Sequence, residues 1–293
     1  MTISIGIITH KDVRVVELIQ SVLQQVKEIG GNAEVFVVSS GLHDGDRDKL
    51  DYLMGINPNL KIIDENARKG KAYSVNIFLR ESKGEILVLI SGDLILEKCS
   101  LSEILKLFDS PNVGMVGSHP LPLNSKDSFI GFAVNLMWEV HHNLSLIRPK
   151  TGEFCAFRRL FDAISPKTPV DEAWIESLIN EAGLEIRYAP NAITYNMGPQ
   201  TVRDYINQRK RIHIGHVDLK LKRNYKVASM EYLLLCKAVL KSVKPRPKEF
   251  VYTVLVSILE LYIRICADYE LFILKKNPYI WSIIETAKFN KKK

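Results

Sequence analysis

The stretch from Arg68-Lys69-Gly70-Lys71-Ala72 to Ser91-Gly92-Asp93-Leu94-Ile95-Leu96 decides the fold. It reads as a basic glycine loop, a helix over Lys71–Glu81, a turn at Gly84, a strand, and then one acid. The strand, Glu85-Ile86-Leu87-Val88-Leu89-Ile90, is nearly all apolar, the pattern of a strand covered on both faces of a parallel sheet. In open parallel sheets ligands bind in the crevice outside the carboxyl ends of the strands. Asp93 at such an end, with three cations upstream, predicts a metal-assisted site for a phosphorylated ligand.

Toward the N-terminus, Ile3–Ile8 is a short β-branched run and predicts a buried strand. Asp12 is placed to cap a helix carrying Val16, Ile19, Leu23 and Val26. Gly30-Gly31 ends that helix. A second strand, Glu34–Val38, runs into the polar turn Ser39–Gly45, followed by a helix over Arg47–Met54 and an edge-like strand over Leu60–Ile63. Strand and helix alternate, as parallel βαβ units require.

Downstream, the pattern predicts helices over Leu101–Phe108, Phe129–Val140 and Val170–Ala182, the last opening with Asp171-Glu172. Strands are predicted over Val113–Gly117, within Thr151–Arg159, and as two short pieces, Leu184–Tyr188 and Ala192–Asn196, around Pro190. Thr201–Gly215 is a strongly basic helix, and His141-His142 are read as structural.

Two apolar helical stretches close the chain, Tyr232–Val243 and Phe250–Leu274, broken at Pro245-Arg246-Pro247. In the second, Thr253, Ser257, Glu260, Arg264 and Asp268 fall on one narrow face and the rest is apolar. Glu260 and Arg264 are spaced to pair. Three placements compete: in a membrane interface with Lys275, Lys276 and Lys291-Lys292-Lys293 toward headgroups, across a bilayer, or packed on protein as in a homo-oligomer. The expected organisation is a catalytic domain over 1–217 and a membrane-associated helical extension over 218–293, peripheral on the inner face of the cell membrane.

A net charge of +7 fits an anionic partner such as a nucleotide phosphate or a membrane surface. No nucleic-acid-binding motif is present, so nucleic acid is not an expected partner. Cys99, Cys155, Cys236 and Cys266 lack metal-binding spacing and read as reduced thiols in a cytoplasmic protein. The first apolar run, Ile3–Ile8, is too short for a signal peptide.

Seven segments in colinear order resemble the family 2 glycosyltransferases, over roughly residues 3 to 216. They are Ile5–Gln24, Glu34–Gly45, Arg68–Asn76, Ile90–Leu96, Thr151–Arg159, Val170–Ala173 and Gln208–Ile212. The last is similar to that family's Gln-x-x-Arg-Trp motif. The resemblance implies an α/β fold of the GT-A type: a Rossmann-like, mostly parallel sheet flanked by helices. It implies inverting transfer of a sugar from a nucleotide-sugar donor, a UDP- or GDP-sugar, to a glycan or lipid-linked acceptor, with a divalent cation, Mg²⁺ or Mn²⁺.

Carried onto this sequence, the resemblance makes Glu172, with Asp171 beside it, the catalytic base and Asp93 the metal ligand. Thr9, His10, Ser39, Ser40, Arg68, Lys71, Gly92, Gln208, Arg209 and Arg211 fall at nucleotide-sugar positions. Gly152, Glu153, Phe154 and Trp174 fall on the acceptor side. Trp138 and Trp174 can stack on a sugar, with core packing as the alternative. Adjacent helical carboxylates do not face each other, so one of Asp171 and Glu172 is expected to point into the site. The chain departs from the family pattern at Ser39, where an acid contacts the base, at Ser91, the first acid of Asp-x-Asp, and at Ile212, the tryptophan. These departures support a rival reading, a membrane-associated nucleotide-sugar-binding or scaffold protein with impaired catalysis. A sugar-phosphate nucleotidyltransferase is disfavoured because Thr9-His10-Lys11-Asp12 stands where those enzymes carry a glycine-rich loop.

Overall fold

The computed structural model describes residues 1–43, 45–65, 67–280 and 284–289; Asp44 of the expected turn and the terminal Lys291-Lys292-Lys293 lie outside the described residues. The chain runs β1 (Ile3–Thr9), α1 (Val15–Glu28), β2 (Ala33–Ser39), α2 (Asp46–Ile56), β3 (Leu60–Asp64), α3 (Lys71–Glu81), β4 (Ile86–Ser91) and β5 (Ile95–Leu96). It continues through α4 (Ser100–Leu105), β6 (Val113–Pro122), α5 (Phe129–Ser145), β7 (Phe154–Arg158), α6 (Asp171–Glu181) and β8 (Glu185–Asn196). The helices α7 (Val202–Arg223), α8 (Tyr232–Ser242) and α9 (Pro247–Phe272) follow.

The eight strands form one mixed sheet in the order β3-β2-β1-β4-β7-β6-β8-β5. Its first half, β3-β2-β1-β4, is parallel throughout, as the alternation predicts. Antiparallel β7 then joins β4 to β6. Every residue of β4 is buried, because side chains alternate between two covered faces. Ile86, Val88 and Ile90 pack toward α1 and α4 through Leu18, Ile19, Leu101 and Ile104. Leu87 and Leu89 pack on the other face with Phe78 of α3 and Ile175 of α6.

Several boundaries differ from the sequence reading. Asp12 does not cap α1; the helix starts at Val15 after Arg14, with no side-chain cap. The two strands expected around Pro190 are one strand, β8, with a register shift between Gly117/Tyr188 and His119/Ile193 on β6. Pro190 lies in that irregularity, where its missing N–H interrupts no ladder bond. α7 runs to Arg223 rather than Gly215, so the expected division at residue 217 falls inside a continuous helix. Thr201 caps α7 by accepting from the Asp204 amide.

Gly6 shows how closely α3 sits on the sheet. A Cβ there would lie 2.5 Å from Cγ of Phe78, which is fully buried. Gly6→Ala is expected to destabilise the protein by about 1–3 kcal/mol through overpacking, read as a lower urea midpoint at unchanged m-value.

Candidate active site

The carboxyl ends of β1, β2 and β4 meet at one rim. The Gly92 amide donates to the Ile8 carbonyl at 2.8 Å, the Ser40 amide to Thr9 at 3.1 Å, and the Ser91 amide to Glu153 at 2.9 Å. Gly92 must be small: a Cβ there would stand 2.7 Å from Thr9 Cβ and 2.8 Å from Asp12 Oδ2. Asp12 turns back into this rim, accepting from Thr9 Oγ1 at 2.9 Å and the His10 amide at 3.0 Å. The residue read as a helix cap is therefore part of the site.

α3 and α6 aim their N-termini at the same place. Lys71, the first residue of α3, reaches Glu172 Oε1 at 2.5 Å and Asp171 Oδ2 at 3.1 Å, the first two residues of α6. The expectation that only one carboxylate enters the site fails here. A long side chain from a neighbouring helix inserts between the two acids and gathers both. Asn76 of α3 holds the helices in register, exchanging two hydrogen bonds with the backbone of Ile164 at 2.8 and 2.9 Å. Burial alone would lower the Lys71 pKa, but Asp171 and Glu172 raise it well above the ordinary lysine value. Burial and the neighbouring Glu172 charge push Asp171 up to about 6, while for Glu172 burial is outweighed by Lys71, which holds it low.

Asp93 belongs to the same field. Burial and the carboxylates of Asp12 and Glu153 push it up to about 8, with Lys71 opposing. Glu153, raised by burial, accepts from Asn196 Nδ2 at 2.6 Å and feels Lys71, Glu172 and Arg211. Crowded carboxylates of this kind fit a cation. Among the described residues, however, no three His, Cys, Asp or Glu gather closely enough to hold a metal by themselves. The donor set therefore fits an ion only if a ligand supplies further oxygens.

The other predicted residues divide. Arg211 reaches the Pro169 carbonyl at 3.0 Å and lies within electrostatic reach of Asp171, Glu172 and Glu153. Gln208 stands three residues away on the same side of α7. Arg209 faces the other way, as 100° per residue requires. Its guanidinium grips Glu260 of α9 at 2.8 and 3.1 Å, which corrects its assignment to the donor. Arg264 also acts on Glu260 electrostatically, but the ion pair is made by Arg209. His10 Nδ1 meets Ser40 Oγ at 3.0 Å, and burial, Arg68 and Lys288 lower its pKa. Arg68 makes no hydrogen bond or ion pair among the described residues and is partly exposed.

Thr9 and Ser39 line the floor with their side chains taken up internally. Ser39 is fully buried and accepts from the Gly41 amide at 3.1 Å, so its hydroxyl is not presented to a base. Of the residues expected on the acceptor side, Gly152 faces Pro120, Trp138 and His141. Phe154 is fully buried in the β7 core and Trp174 packs in the α3–α6 core with Arg223 over its ring, so neither lines the site. Trp138, not Trp174, is the tryptophan beside Gly152.

Sequence reading missed Asp12, Glu65, Asn196 and Lys288. Glu65 follows β3; its amide donates to Ser39 at 2.7 Å, and burial raises its carboxyl. The position just past a strand end was the available signal for Asp12 and Glu65. Nothing local marks Lys288, which reaches Asp12 Oδ1 at 3.0 Å from the far end of the chain.

The sequence model described as glycosyl transferase family 2 matches residues 4–163, more than half of the chain. The chain belongs to glycosyl transferase family 2 and is a glycosyltransferase. Two solved structures share its fold. One is the mannosyltransferase PcManGT of Pyrobaculum calidifontis, in complex with GDP-Man and Mn²⁺: TM-score 0.58, 19% identity, covering 94% of this chain and 81% of that one. The other is S. aureus TarS: TM-score 0.50, 12% identity, covering 92% of this chain and 55% of that one. No curated protein matches the chain by sequence.

Replacing Lys71 by methionine leaves two buried carboxylates without their cation, a change expected to cost about 3–5 kcal/mol at pH 8. In the native protein Glu172 is held low. Its pairing therefore stabilises the fold above its unfolded value, near pH 4.3, and is lost as pH falls through the depressed value. Without Lys71, burial raises both acids, so the variant's deficit is largest at pH 8 and shrinks toward pH 5. Denaturant titrations of both proteins at the two pH values check this.

Proposed function

We propose that this crevice moves a sugar from a nucleoside-diphosphate sugar to an acceptor hydroxyl with inversion. The observation that carries the reading is the gathering of Asp93, Glu153, Lys71, Asp171, Glu172 and Arg211 within one electrostatic neighbourhood at the sheet's carboxyl rim. GDP-Man in the PcManGT complex supports a nucleotide-sugar donor. Arg68, Lys71, Gln208 and Arg211 face the donor diphosphate, Arg supplying a planar donor fork suited to phosphate. The acceptor oxygen attacks the anomeric carbon, the bond to the diphosphate breaks, and Glu172 takes the hydroxyl proton. Lys71 sets the basicity of Glu172: while the ammonium is bound, the carboxylate is a weak base, and a diphosphate that draws the ammonium away strengthens it. Asp93, with Asp12 and Glu153 nearby, would hold Mg²⁺ or Mn²⁺ together with the donor diphosphate, and the ion supplies charge neutralisation of the leaving group. Gly152 and Trp138 offer an acceptor sugar a flat, partly apolar seat.

α9 supports attachment to a membrane surface on the cytoplasmic side. It is long and apolar enough to cross a bilayer by length and composition. Its polar residues nevertheless face α7: Glu260 binds Arg209, Asp268 lies 2.9 Å from His213, and Glu270 lies 2.5 Å from Lys210. These contacts bind the helix lengthwise to the catalytic fold, which disfavours a spanning placement. Outward it shows Val251, Val254, Ile258, Leu261 and Ile265, beside an open apolar groove of about 600 Å³ between α5 and α9. Exposed cations flank it at Lys244, Arg246 and Lys248 and at Lys275 and Lys276. An interfacial helix has this arrangement, and it favours a lipid-linked or membrane-proximal acceptor.

Purified protein is expected to release nucleoside diphosphate from one of the UDP- or GDP-sugars only with Mg²⁺ or Mn²⁺. Glu172→Gln is expected to lower turnover about 10²–10⁴-fold, and Asp93→Asn to remove the metal dependence of nucleotide binding in a thermal-shift assay. No metal-dependent shift with any nucleotide would sink the metal-assisted donor reading and favour a chain with impaired catalysis. In flotation assays the protein is expected to rise with anionic vesicles and Ile258→Glu/Leu261→Glu to stay behind. A concentration-dependent dimer without vesicle binding would assign the face to a second copy of the chain instead.

A further inference from the structure

After α9 the chain turns at Lys275, and the described residues beyond it, up to Ile280 and from Ile284 to Phe289, lie against the rim just described. Asn277 Nδ2 donates to the Lys167 carbonyl at 3.2 Å, ahead of α6. The Tyr279 carbonyl then lies 2.9 Å, and Ile280 Cγ1 3.6 Å, from the point a Cβ on Gly70 would occupy. Thr286 Oγ1 donates to Asp204 at 2.6 Å and accepts from the Gln200 amide at 3.3 Å, at the N-terminus of α7. At the far flank Lys288 bonds to Asp12 Oδ1 at 3.0 Å, to the Lys11 carbonyl at 3.2 Å and to the His10 carbonyl, and Phe289 lies under Arg14 at 5.5 Å.

These contacts tie the α6–α7 flank to the β1–α1 flank, with the crevice between them. We propose that residues Lys275–Ile280 and Ile284–Phe289 form an autoinhibitory strap, latched by Lys288 on Asp12, that must lift before the nucleotide sugar binds. The proposal rests on the donor-site reading given above. Two observations favour an obstacle over a lid that grips the donor. Lys288 has three N–H donors, and all three have protein acceptors, so none remains for a phosphate. The backbone at Tyr279 occupies the space against Gly70, the glycine whose bare surface would let a nucleotide approach. The latch is also small: one largely buried ion pair and a few polar contacts near the end of the described chain, the type of unit that opens locally below the global unfolding free energy.

A closed strap lowers apparent donor affinity in proportion to the open fraction. Two variants of the full chain test this, Lys288→Ala and a truncation after Leu274, each compared with wild type by nucleoside-diphosphate binding with Mn²⁺ in calorimetry and by amide exchange. Both variants are expected to bind GDP or UDP about threefold or more tightly than wild type, and to exchange faster over Thr9–Arg14 without nucleotide. In wild type, nucleotide with Mn²⁺ is expected to speed exchange over Ile284–Phe289. Equal or weaker nucleotide binding by the variants, or slower tail exchange on binding, overturns the strap and makes the tail neutral or part of the donor site. If Thr9–Arg14 is protected by the tail but no protein binds any nucleotide, the donor-site reading falls and the strap's regulatory role with it. If nucleotide binds and exchange over Thr9–Arg14 is identical in all three proteins, only the strap falls.

Discussion

The ammonium of Lys71, held between Asp171 and Glu172, is the interaction on which the rest of the site depends. Two adjacent carboxylates at a buried helix start repel each other, and the helix dipole offsets only part of that repulsion. The lysine makes the arrangement stable, and it comes from a separate helix. Its position is therefore a tertiary fact: α3 must sit on the sheet with Phe78 against Gly6, and Asn76 must hold the loop before α6. The packing of the parallel half of the sheet thus fixes the proton affinity of the proposed base.

The sequence showed the parallel half well because its signals are local. β1 and β4 are short runs of apolar and β-branched residues and α1 carries a period-3.6 pattern closed by Gly30-Gly31, so these elements lie within a few residues of where the sequence predicts them. The rim was legible for the same reason: Asp93, Gly92 and Lys71 stand at ends of elements. What could not be read was direction. Phe154 and Trp174 sit beside residues that enter the site, yet both turn into the core. Arg209 and Arg211 differ by two positions, and that separation of about 200° sends one to Glu260 of α9 and the other to the crevice. A basic run reads the same whichever side each member faces.

α9 reverses the usual order of an amphipathic helix, in which polar residues meet water. Its carboxylates are bound to Arg209, Lys210 and His213, and Val256 and Ile263 pack beside them against α5 and α7, while Val251, Val254, Ile258, Leu261 and Ile265 point away from the protein. The sequence showed a narrow polar face but not its partner, since the partners lie about 50 to 60 residues upstream on α7. Once that face is spoken for, the 26-residue helix is a rail fixed to the catalytic fold, with only its apolar side left to engage anything else.

Ser39 and Ser91 replace acids that the family resemblance would supply, and the structure shows what surrounds each replacement. Ser39 caps its own turn through Gly41 and its carbonyl accepts from the amide of Glu65, so an acid follows β3 beside position 39, which has none. At the other end Asp93 is not isolated by the loss at position 91. Asp12, packed against Gly92, and Glu153, bonded to Asn196, both raise its proton affinity. The negative field at the rim is thus assembled from three elements of the fold rather than from one tripeptide. A tripeptide motif concentrates that charge in sequence; here it is dispersed along the chain and regathered by the parallel alignment of β1 with β4 and the antiparallel pairing of β7 on β4.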